Sequence, residues 1–312
     1  MDKKYCLGLY EKAMPGNLTM AEKLTAAREA GYDYLEMSVD ETDEKLARLD
    51  MSREERKELT LLMEKTGMPI RSMCLSGHRR YSLGSAEGAE QSLRIMEKAI
   101  ELADDLGIRI IQLAGYDVYY ESSTYDTKKR FLDNLRKAAA MAEKAGVLLG
   151  FETMETEFMN TVEKAMKYVC LVDSPYLQIY PDIGNLTNAA VTYKQDIYDD
   201  MALGKGHLIA MHLKETVPGK FREIPFGEGH VDFEKAVRKA WELNIRRYVT
   251  EFWYTGNLQW KEELLHICQK FNELLEEIST SQFLGRIRFY ESRKENHFKF
   301  DEMLFDCAAA LS

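Results

Sequence analysis

Four side chains able to bind a metal follow apolar runs of the chain at nearly constant spacing. They are Glu152, Asp182, His212 and Glu251, and the intervals between them are 30, 30 and 39 residues. Each interval is about the length of one strand–helix unit in a parallel α/β protein. If each run is a β-strand, the four side chains lie at the same end of one sheet. Three carboxylates and an imidazole there suit a divalent metal with open positions for a substrate, which is a catalytic arrangement.

The alternation of side chains along these strands favours the same interpretation. Residues two apart in a strand share a face of the sheet. The residues that share a face with three of the candidate ligands are small or aliphatic, as a barrel interior requires: Leu148, Gly150, Leu208, Ala210 and Val249. Each ligand therefore ends an inward column, where a charge is costly unless it is paired or bound to a metal.

Eight strand-like runs alternate with amphipathic helical segments along the chain. The runs span residues 6–10, 32–39, 70–76, 109–115, 147–153, 176–184, 207–215 and 247–253. Helical periodicity is clear over 52–67 and 127–146. Several helical segments end in a glycine suited to the left-handed conformation after a helix: Gly31, Gly67, Gly107 and Gly146.

This alternation predicts an α/β fold of the (β/α)8 TIM-barrel type, whose active site lies at the carboxyl ends of the strands. The last helix is expected near residues 260–277, so residues 1–277 form the predicted catalytic domain. Residues 278–312 form a C-terminal extension of unknown role. An open doubly wound sheet is the alternative, but the G-x-G-x-x-G motif expected after its first strand is absent.

Composition restricts the class of protein. Of 312 residues, 45% are hydrophobic, and no apolar run reaches the roughly 20 residues of a membrane helix. The N-terminus does not match a signal peptide, and the five scattered cysteines indicate reduced thiols, so we expect a cytoplasmic protein. A net charge of −10 argues against nucleic acid as a partner but not against a small anionic substrate. We expect a homo-oligomer, a dimer or a tetramer.

Several segments between residue 5 and about residue 255 resemble a known family. They include YDYLEMSVDETDEKLARLD, RSMCLSGHRR, QIYPDIGNL and PFGEGHVDFE. The chain resembles the xylose-isomerase-like barrel superfamily and, within it, the L-ribulose-5-phosphate 3-epimerases (L-xylulose-5-phosphate 3-epimerases) of bacterial L-ascorbate degradation. The resemblance implies a (β/α)8 barrel, one divalent metal, and Glu152, Asp182, His212 and Glu251 as its ligands. The family commonly has Asp at the position of Glu215, and the extension has no counterpart in it.

The activity that this resemblance implies is inversion of C3 of a phosphorylated L-ketopentose, through proton transfers and an enediolate. Two carboxylates on opposite sides of the substrate can act as base and acid. Glu152 and Glu251 are the natural catalytic pair, because three strand steps separate them around the ring. Asp182 and His212 would mainly hold the metal, for which Mn²⁺ or Zn²⁺ is expected and Co²⁺ or Mg²⁺ also suits the ligands.

Further residues near strand ends are candidates for binding the substrate. Glu36 could bind a substrate hydroxyl, or form an ion pair at the rim. Lys214 shares the inward face of His212 and could stabilise the enediolate or bind substrate. Three groups could bind phosphate: His78, Arg79 with Arg80, and the loop containing Gly227 and Gly229, which lies where barrels often bind phosphate through backbone N–H groups.

Other functions fit parts of the same pattern. A 3-epimerase of unphosphorylated ketoses and an aldose–ketose isomerase use the same scaffold. A multi-metal endonuclease needs more histidines at strand ends than the one present. A non-catalytic sugar-binding barrel is disfavoured because all four candidate ligands are intact.

Overall fold

A computed structural model describes residues 3–281, and within this range eight parallel strands form a nearly closed barrel. The strands are β1 Cys6–Tyr10, β2 Tyr34–Ser38, β3 Ile70–Leu75, β4 Ile110–Ala114, β5 Leu148–Glu152, β6 Leu177–Tyr180, β7 Met211–Leu213 and β8 Arg247–Thr250. They pair in the order β6-β5-β4-β3-β2-β1-β8-β7. Two isolated parallel bridges, Ile179–Leu208 and Asp182–His212, join β6 to β7. The predicted (β/α)8 fold is confirmed.

Helices follow the strands and cover the outside of the barrel. They are α1 Met20–Glu29, α2 Asp43–Leu46, α3 Arg53–Thr66, α4 Ala89–Leu106, α5 Tyr125–Ala145, α6 Val162–Val172, α7 Ile183–Tyr193, α8 Ile197–Leu203 and α9 Phe233–Glu242, followed by α10 over residues 260–281. Short 3-10 helices span Glu11–Ala13, Ala47–Asp50 and Ser76–Arg79.

The sequence of α3 shows why the helix boundaries were predictable. Ser52 accepts a hydrogen bond from the backbone N–H of Glu55, whose side chain accepts one from the backbone N–H of Ser52. This capping box satisfies donors that the first helical turn leaves free. Gly67 ends the helix with a φ of 65°, a conformation that costs little only for glycine. Gly107 and Gly146 end α4 and α5 in the same way.

The apolar residues form one cluster inside the barrel and a larger one between the barrel and its helices. The inner cluster contains Tyr10, Tyr34, Tyr180 and Val249. Gly8 of β1 makes room for it, because a Cβ at this position would lie 2.5 Å from the ring of Tyr34. Bulky side chains thus fill much of the interior below the carboxyl ends of the strands, as in other barrels of this type.

The seventh strand is shorter than predicted. Only Met211–Leu213 pair with β8, whereas the sequence predicts a strand over residues 207–215. Leu208 packs in the outer cluster beside Gly204, and Ile209 contacts the inner one. The prediction that Leu208 faces inward is therefore wrong, because the strict alternation of a strand does not extend below Ala210.

The structure describes part of the predicted periphery. The helix α10 continues past residue 277, the predicted end of the catalytic domain, to residue 281. The rest of the predicted extension, 282–312, lies outside the described residues. Cys6, Cys74, Cys170 and Cys268 are free thiols. Among the described residues, none of the helices combines the length and apolar character needed to cross a membrane.

Candidate metal centre and active site

The four predicted ligands meet at the carboxyl ends of β5 to β8. Glu152 is the last residue of β5, His212 is the central residue of β7, and Glu251 directly follows β8. Asp182 follows β6 and pairs with His212 across the point where the barrel closes. All four are buried, and one ligand atom from each lies within 4.8 Å of the others. The four residues thus form a group that could hold a metal ion.

Two carboxylates flank one nitrogen of His212, and a third carboxylate holds the other. Nδ1 of His212 lies 3.1 Å from both Glu152 Oε1 and Glu251 Oε2. Nε2 lies 2.6 Å from Glu36 Oε1, while the second oxygen of Glu36 accepts hydrogen bonds from Ser72 and Tyr180. Glu36 is thus placed to accept the N–H of Nε2, and Nδ1 faces the carboxylates of Glu152 and Glu251. A carboxylate behind a histidine orients metal ligands in this way. Burial alone would lower the pKa of His212, but Glu36 and Glu251 outweigh it and raise the pKa.

The two carboxylate oxygens of Asp182 have different partners. Its Oδ1 accepts a hydrogen bond from the backbone N–H of Asn185 at 2.8 Å, which makes Asp182 the N-cap of α7. Its Oδ2 lies 2.7 Å from Nζ of Lys214 and 4.0 Å from Nδ1 of His212. The cap fixes the side chain so that Oδ2 points into the centre.

The charge balance of this centre fits a divalent cation. Glu36, Glu152, Asp182 and Glu251 are all buried here, whereas Lys214 is the one ammonium group that contacts them among the described residues. Burial and the carboxylates of Glu251 and Glu152 raise the pKa of Asp182, despite Lys214. Asp182 Oδ2 and Glu251 Oε2 are buried and accept no well-formed hydrogen bond from the described residues. Since uncompensated buried charge is costly, a cation with nitrogen and oxygen ligands would stabilise the group.

Gln112 is a further member of the site that the sequence-based predictions do not include. It lies in β4, pairs in register with Gly150, and its Nε2 donates a hydrogen bond to Glu152 Oε2. The amide thus holds one oxygen of Glu152 and leaves the other for the centre. The sequence offered one sign of this role: Gln112 is the polar residue within the apolar run RIIQLAG, two positions before the strand ends.

Comparisons with known proteins identify the family of this chain. The model of the xylose isomerase-like TIM barrel family matches residues 24–270. The chain belongs to this family. L-ribulose-5-phosphate 3-epimerases UlaE from Salmonella heidelberg (strain SL476) and Escherichia coli O157:H7 are each 48% identical over 256 residues, which cover 81% of this chain and 89% of the relatives. A solved structure of an L-ribulose 3-epimerase has the same fold, with a TM-score of 0.70, 18% identity, and coverage of 90% of this chain and 97% of that one.

Two predicted substrate-binding residues of this xylose isomerase-like barrel lie inside the metal centre. Glu36 is fully buried below His212 and contacts the imidazole instead of presenting an oxygen to a substrate hydroxyl or an ion pair at the rim. Lys214 is buried too, with Nζ 2.7 Å from Asp182 and 3.7 Å from Glu251. Glu36 thus contacts the histidine, and its role in binding a substrate hydroxyl stays a prediction.

The three polar residues after β3 lie in different surroundings. His78 is buried with Nε2 3.2 Å from the carbonyl oxygen of Ser92, and burial lowers its pKa to about 4, so it is neutral near pH 7. Arg80 is exposed and forms a 2.6 Å ion pair with Asp43. Arg79 is half-buried, and its guanidinium lies over the ring of Tyr119. Of the three, Arg79 alone keeps a charge free of any ion pair with a described residue.

The loop that contains Gly227 and Gly229 binds a carboxylate of the protein itself. The backbone N–H groups of Thr216, Gly227 and Val231 all donate to the buried side chain of Glu215, each at 3.1 Å. The loop therefore has an anion-binding geometry, but Glu215 occupies it. The N–H of Gly227 is therefore already paired, and phosphate binding by Gly227 and Gly229 stays a prediction.

Gly229 is required by the close approach of Glu215. A Cβ at this position would lie 2.2 Å from Glu215 Oε1 and from the carbonyl oxygen of Thr216. We expect Gly229→Ala to lower the free energy of unfolding by about 1–3 kcal/mol, because backbone and a buried carboxylate must both move. Urea-induced unfolding measures this change. Gly16→Ala is the matched control, since a Cβ there meets nothing within 4 Å; equal stability of the two variants would contradict the prediction.

Proposed function

We propose that this protein is a metal-dependent L-ribulose-5-phosphate 3-epimerase, an isomerase that interconverts L-xylulose 5-phosphate and L-ribulose 5-phosphate. The observation that carries the proposal is the pair of carboxylates, Glu152 and Glu251, each 3.1 Å from His212 Nδ1 within a group that could hold a metal. Two carboxylates that flank one reaction centre are what inversion at a carbon next to a ketone requires. The 48% identity to enzymes named for this reaction supports the substrate.

In this reaction the two glutamates transfer protons, and the other residues of the centre hold the metal. One of the two glutamates removes the C3 proton from one face of the substrate, and the other returns a proton to the opposite face; the reverse reaction exchanges their roles. A bound divalent cation would stabilise negative charge that develops on the substrate oxygens during this exchange. Asp182 and His212 complete the group that would hold it, and Glu36 keeps His212 in the required tautomer and orientation.

Gln112 and Lys214 set the charge around the two glutamates. Gln112 donates to Glu152 and so restrains the direction of that carboxylate. Burial alone would raise the pKa of Glu251, but Lys214 and His212 outweigh it and lower the pKa, which keeps this carboxylate ionised. The ring of Tyr10 lies 6.3 Å from that of His212, and Trp253 packs against Tyr10.

Removal of the metal is the direct test of this function. We expect protein treated with a chelator to lose exchange of the substrate C3 proton with solvent deuterium, and Mn²⁺ or Zn²⁺ to restore it, with Co²⁺ or Mg²⁺ as further candidates. Proton NMR of L-ribulose 5-phosphate in D₂O follows the exchange. Undiminished exchange after chelation, with no metal left by elemental analysis, would contradict a metal-dependent epimerase.

A variant separates metal binding from general damage to the protein. Asp182→Asn keeps an acceptor for the N-cap of α7 but removes a charge from the centre. We expect it to bind less metal per chain than the unmodified protein while α7 remains folded. Circular dichroism and elemental analysis together measure both quantities.

The setting of the enzyme is part of the same proposal. We propose that it acts in the cytoplasm, as a homo-oligomer (a dimer or a tetramer), in the degradation of L-ascorbate, in line with the enzymes that the sequence resembles. Light scattering on the purified full chain gives the number of subunits. A monomer at micromolar concentration would contradict the oligomer.

A further inference from the structure

A cavity lies between the first turns of α5 and α6 and the loops that precede these two helices. Its volume is about 560 Å³, within the range of about 300–1,000 Å³ that is usual for small-molecule sites. Its wall contains residues from 117–123, Lys128 of α5, residues 156–158, and residues from 164–168 of α6. No residue of the metal centre is among the described residues that line it. A ligand in this cavity would therefore occupy a site separate from the metal centre.

Asp117 provides a buried carboxylate in the wall of this cavity. The residue is 1% exposed, and its Oδ2 accepts hydrogen bonds from the hydroxyl groups of Ser123 and Thr127, each at 2.7 Å. Its Oδ1 accepts no hydrogen bond from the described residues. Because a buried acceptor without a donor is costly, the position indicates that a ligand supplies the donor.

Two residues with unpaired hydroxyl groups also line the cavity. Oγ1 of Thr156 is buried and has no hydrogen-bond partner within residues 3–281. The hydroxyl group of Tyr168 forms no hydrogen bond with a described residue either. Burial and the charge of Asp117 raise the pKa of Tyr168 to about 12, so this hydroxyl is protonated near pH 7 and can donate. The cavity thus offers one carboxylate acceptor and two hydroxyl groups that can donate or accept.

Aromatic rings supply the apolar part of the wall. The ring centres of Phe158 and Tyr168 lie 5.2 Å apart, and Phe131 packs edge-on against both, also at 5.2 Å. Phe131 is buried, whereas Phe158 and Tyr168 are half-buried and line the cavity. Small-molecule sites combine apolar surface of this kind with a few polar groups. A ligand for this cavity therefore needs an apolar face as well as hydrogen-bonding groups.

The charges on the wall of the cavity cancel. Three carboxylate and three ammonium side chains line it: Asp117, Glu121, Glu157, Lys128, Lys164 and Lys167. Lys164 already donates to Asn160, to Tyr193 and to the carbonyl oxygen of Glu157, so its three N–H groups are used. A wall without net charge does not attract an anion such as a sugar phosphate. The charge balance therefore favours a neutral ligand.

We propose that this cavity binds a neutral polyhydroxylated ligand, a free sugar or the corresponding alditol. One hydroxyl group of the ligand donates to Asp117 Oδ1, and neighbouring hydroxyl groups pair with Thr156 and Tyr168. Hydroxyl groups both donate and accept, so one type of ligand satisfies the carboxylate and both hydroxyls of the wall. The C–H groups of the same ligand pack on the ring of Phe158. The site is additional to the metal centre, and it does not depend on the reaction proposed above.

Saturation-transfer NMR on the Zn²⁺-loaded full chain tests the site, with L-arabinose, D-glucose and ribitol as probes. We expect Asp117→Asn to weaken binding of the probes by about 10- to 100-fold, the loss that corresponds to a hydrogen bond to a charged group. Thr156→Val should weaken it by about 2- to 10-fold, because a neutral hydrogen bond is weaker. The two sugars and the alditol distinguish a ring from an open chain as the preferred form.

Asp126→Asn is the matched control for Asp117→Asn. Asp126 lies in the first turn of α5, is exposed and is not part of the cavity wall, and its carboxylate has no partner among the described residues. The substitution removes the same charge nearby and should leave the affinity for the probes unchanged. Thermal unfolding shows whether each variant is folded, and Thr156→Val decides the site if Asp117→Asn is not.

A further variant separates the cavity from the metal centre, where a free sugar can also bind. Asp182→Asn alters the centre and should leave binding in the cavity unchanged. Loss of binding in Asp182→Asn with unchanged binding in Asp117→Asn would assign the sugar to the metal centre and overturn the proposal. Absence of binding by all three probes, or tighter binding of the anion L-arabinonate than of L-arabinose, would also overturn it. None of these measurements uses epimerisation, so they decide the site even if the proposed function fails.

Discussion

Replacing either glutamate of the proposed catalytic pair should stop epimerisation. We expect Glu152→Gln and Glu251→Gln each to lower kcat by at least about 10²- to 10⁴-fold, because each removes one of two proton transfers. The amide of glutamine keeps the shape and a metal-binding oxygen but accepts no proton. Epimerisation of L-ribulose 5-phosphate, followed by NMR, measures the loss, and elemental analysis checks that metal is still bound.

Deuterium exchange distinguishes two bases from one. If each glutamate serves one face of C3, a variant that lacks one of them cannot invert the carbon. It can still exchange the proton of the epimer whose proton faces the remaining glutamate. We therefore expect the two variants to show residual exchange with opposite epimers. Loss of exchange with the same epimer in both variants would contradict the assignment.

Glu157→Gln is the matched control for these two variants. Glu157 lies in the segment that follows Glu152, but it is exposed, and no interaction of its carboxylate with a described residue is found. The substitution removes the same charge near the rim without changing the centre. It should leave kcat unchanged, and a loss comparable to that of Glu152→Gln would assign the effect to general electrostatics.

The largest effect on stability is expected at Glu11, which lies directly after β1. Its buried carboxylate contacts Lys23 at 2.8 Å, Lys45 at 2.7 Å and Arg48 at 2.8 Å. It also accepts a hydrogen bond from the backbone N–H of Ser38 at 2.9 Å. Removing the one negative charge leaves three cations together, and breaking a buried ion pair typically costs about 3–5 kcal/mol. We expect Glu11→Gln to lower the free energy of unfolding by about this amount in urea at pH 7.

The pH dependence of this effect has a definite sign. Burial alone would raise the pKa of Glu11, but Arg48, Lys23 and Lys45 outweigh it and hold the pKa well below its usual range. The contribution of Glu11 is therefore complete above the unfolded-state pKa of about 4.3 and is lost as the pH falls through the lower folded-state value. The difference between the unmodified protein and Glu11→Gln should shrink only below about pH 4.3.

A surface ion pair provides the comparison for Glu11. Glu90 pairs with Arg94 one helical turn away, and both side chains are exposed. Such pairs contribute about 0.3–0.5 kcal/mol, so Glu90→Gln should change stability little. Similar losses for Glu11→Gln and Glu90→Gln would show that the buried cations relax into solvent once the carboxylate is gone.

The architecture and the four candidate ligands were accessible from sequence because both follow from short-range rules. Apolar runs alternating with amphipathic segments predict strand–helix units, and capping residues such as Ser52 and Gly67 mark helix boundaries. Parallel strands place their carboxyl ends on one side of the barrel, so the polar residues that end β5 to β8 had to converge. The sequence-based prediction was less accurate at β7, which is shorter than expected. This strand pairs regularly only with β8, over Met211–Leu213, so the alternation of inward and outward side chains does not extend to Leu208.

The partners of the polar side chains were decided by the tertiary structure alone. Glu36 reaches His212, 176 residues away, only because the barrel closes and places β2 and β7 across one interior. Glu215 accepts a hydrogen bond from the glycine loop because of the conformation of that loop. Sequence by itself determined the fold, the family and the residues able to bind a metal. The closed barrel decided which carboxylate contacts the histidine and which arginine after β3 forms an ion pair, because these depend on side-chain directions between segments distant in the chain.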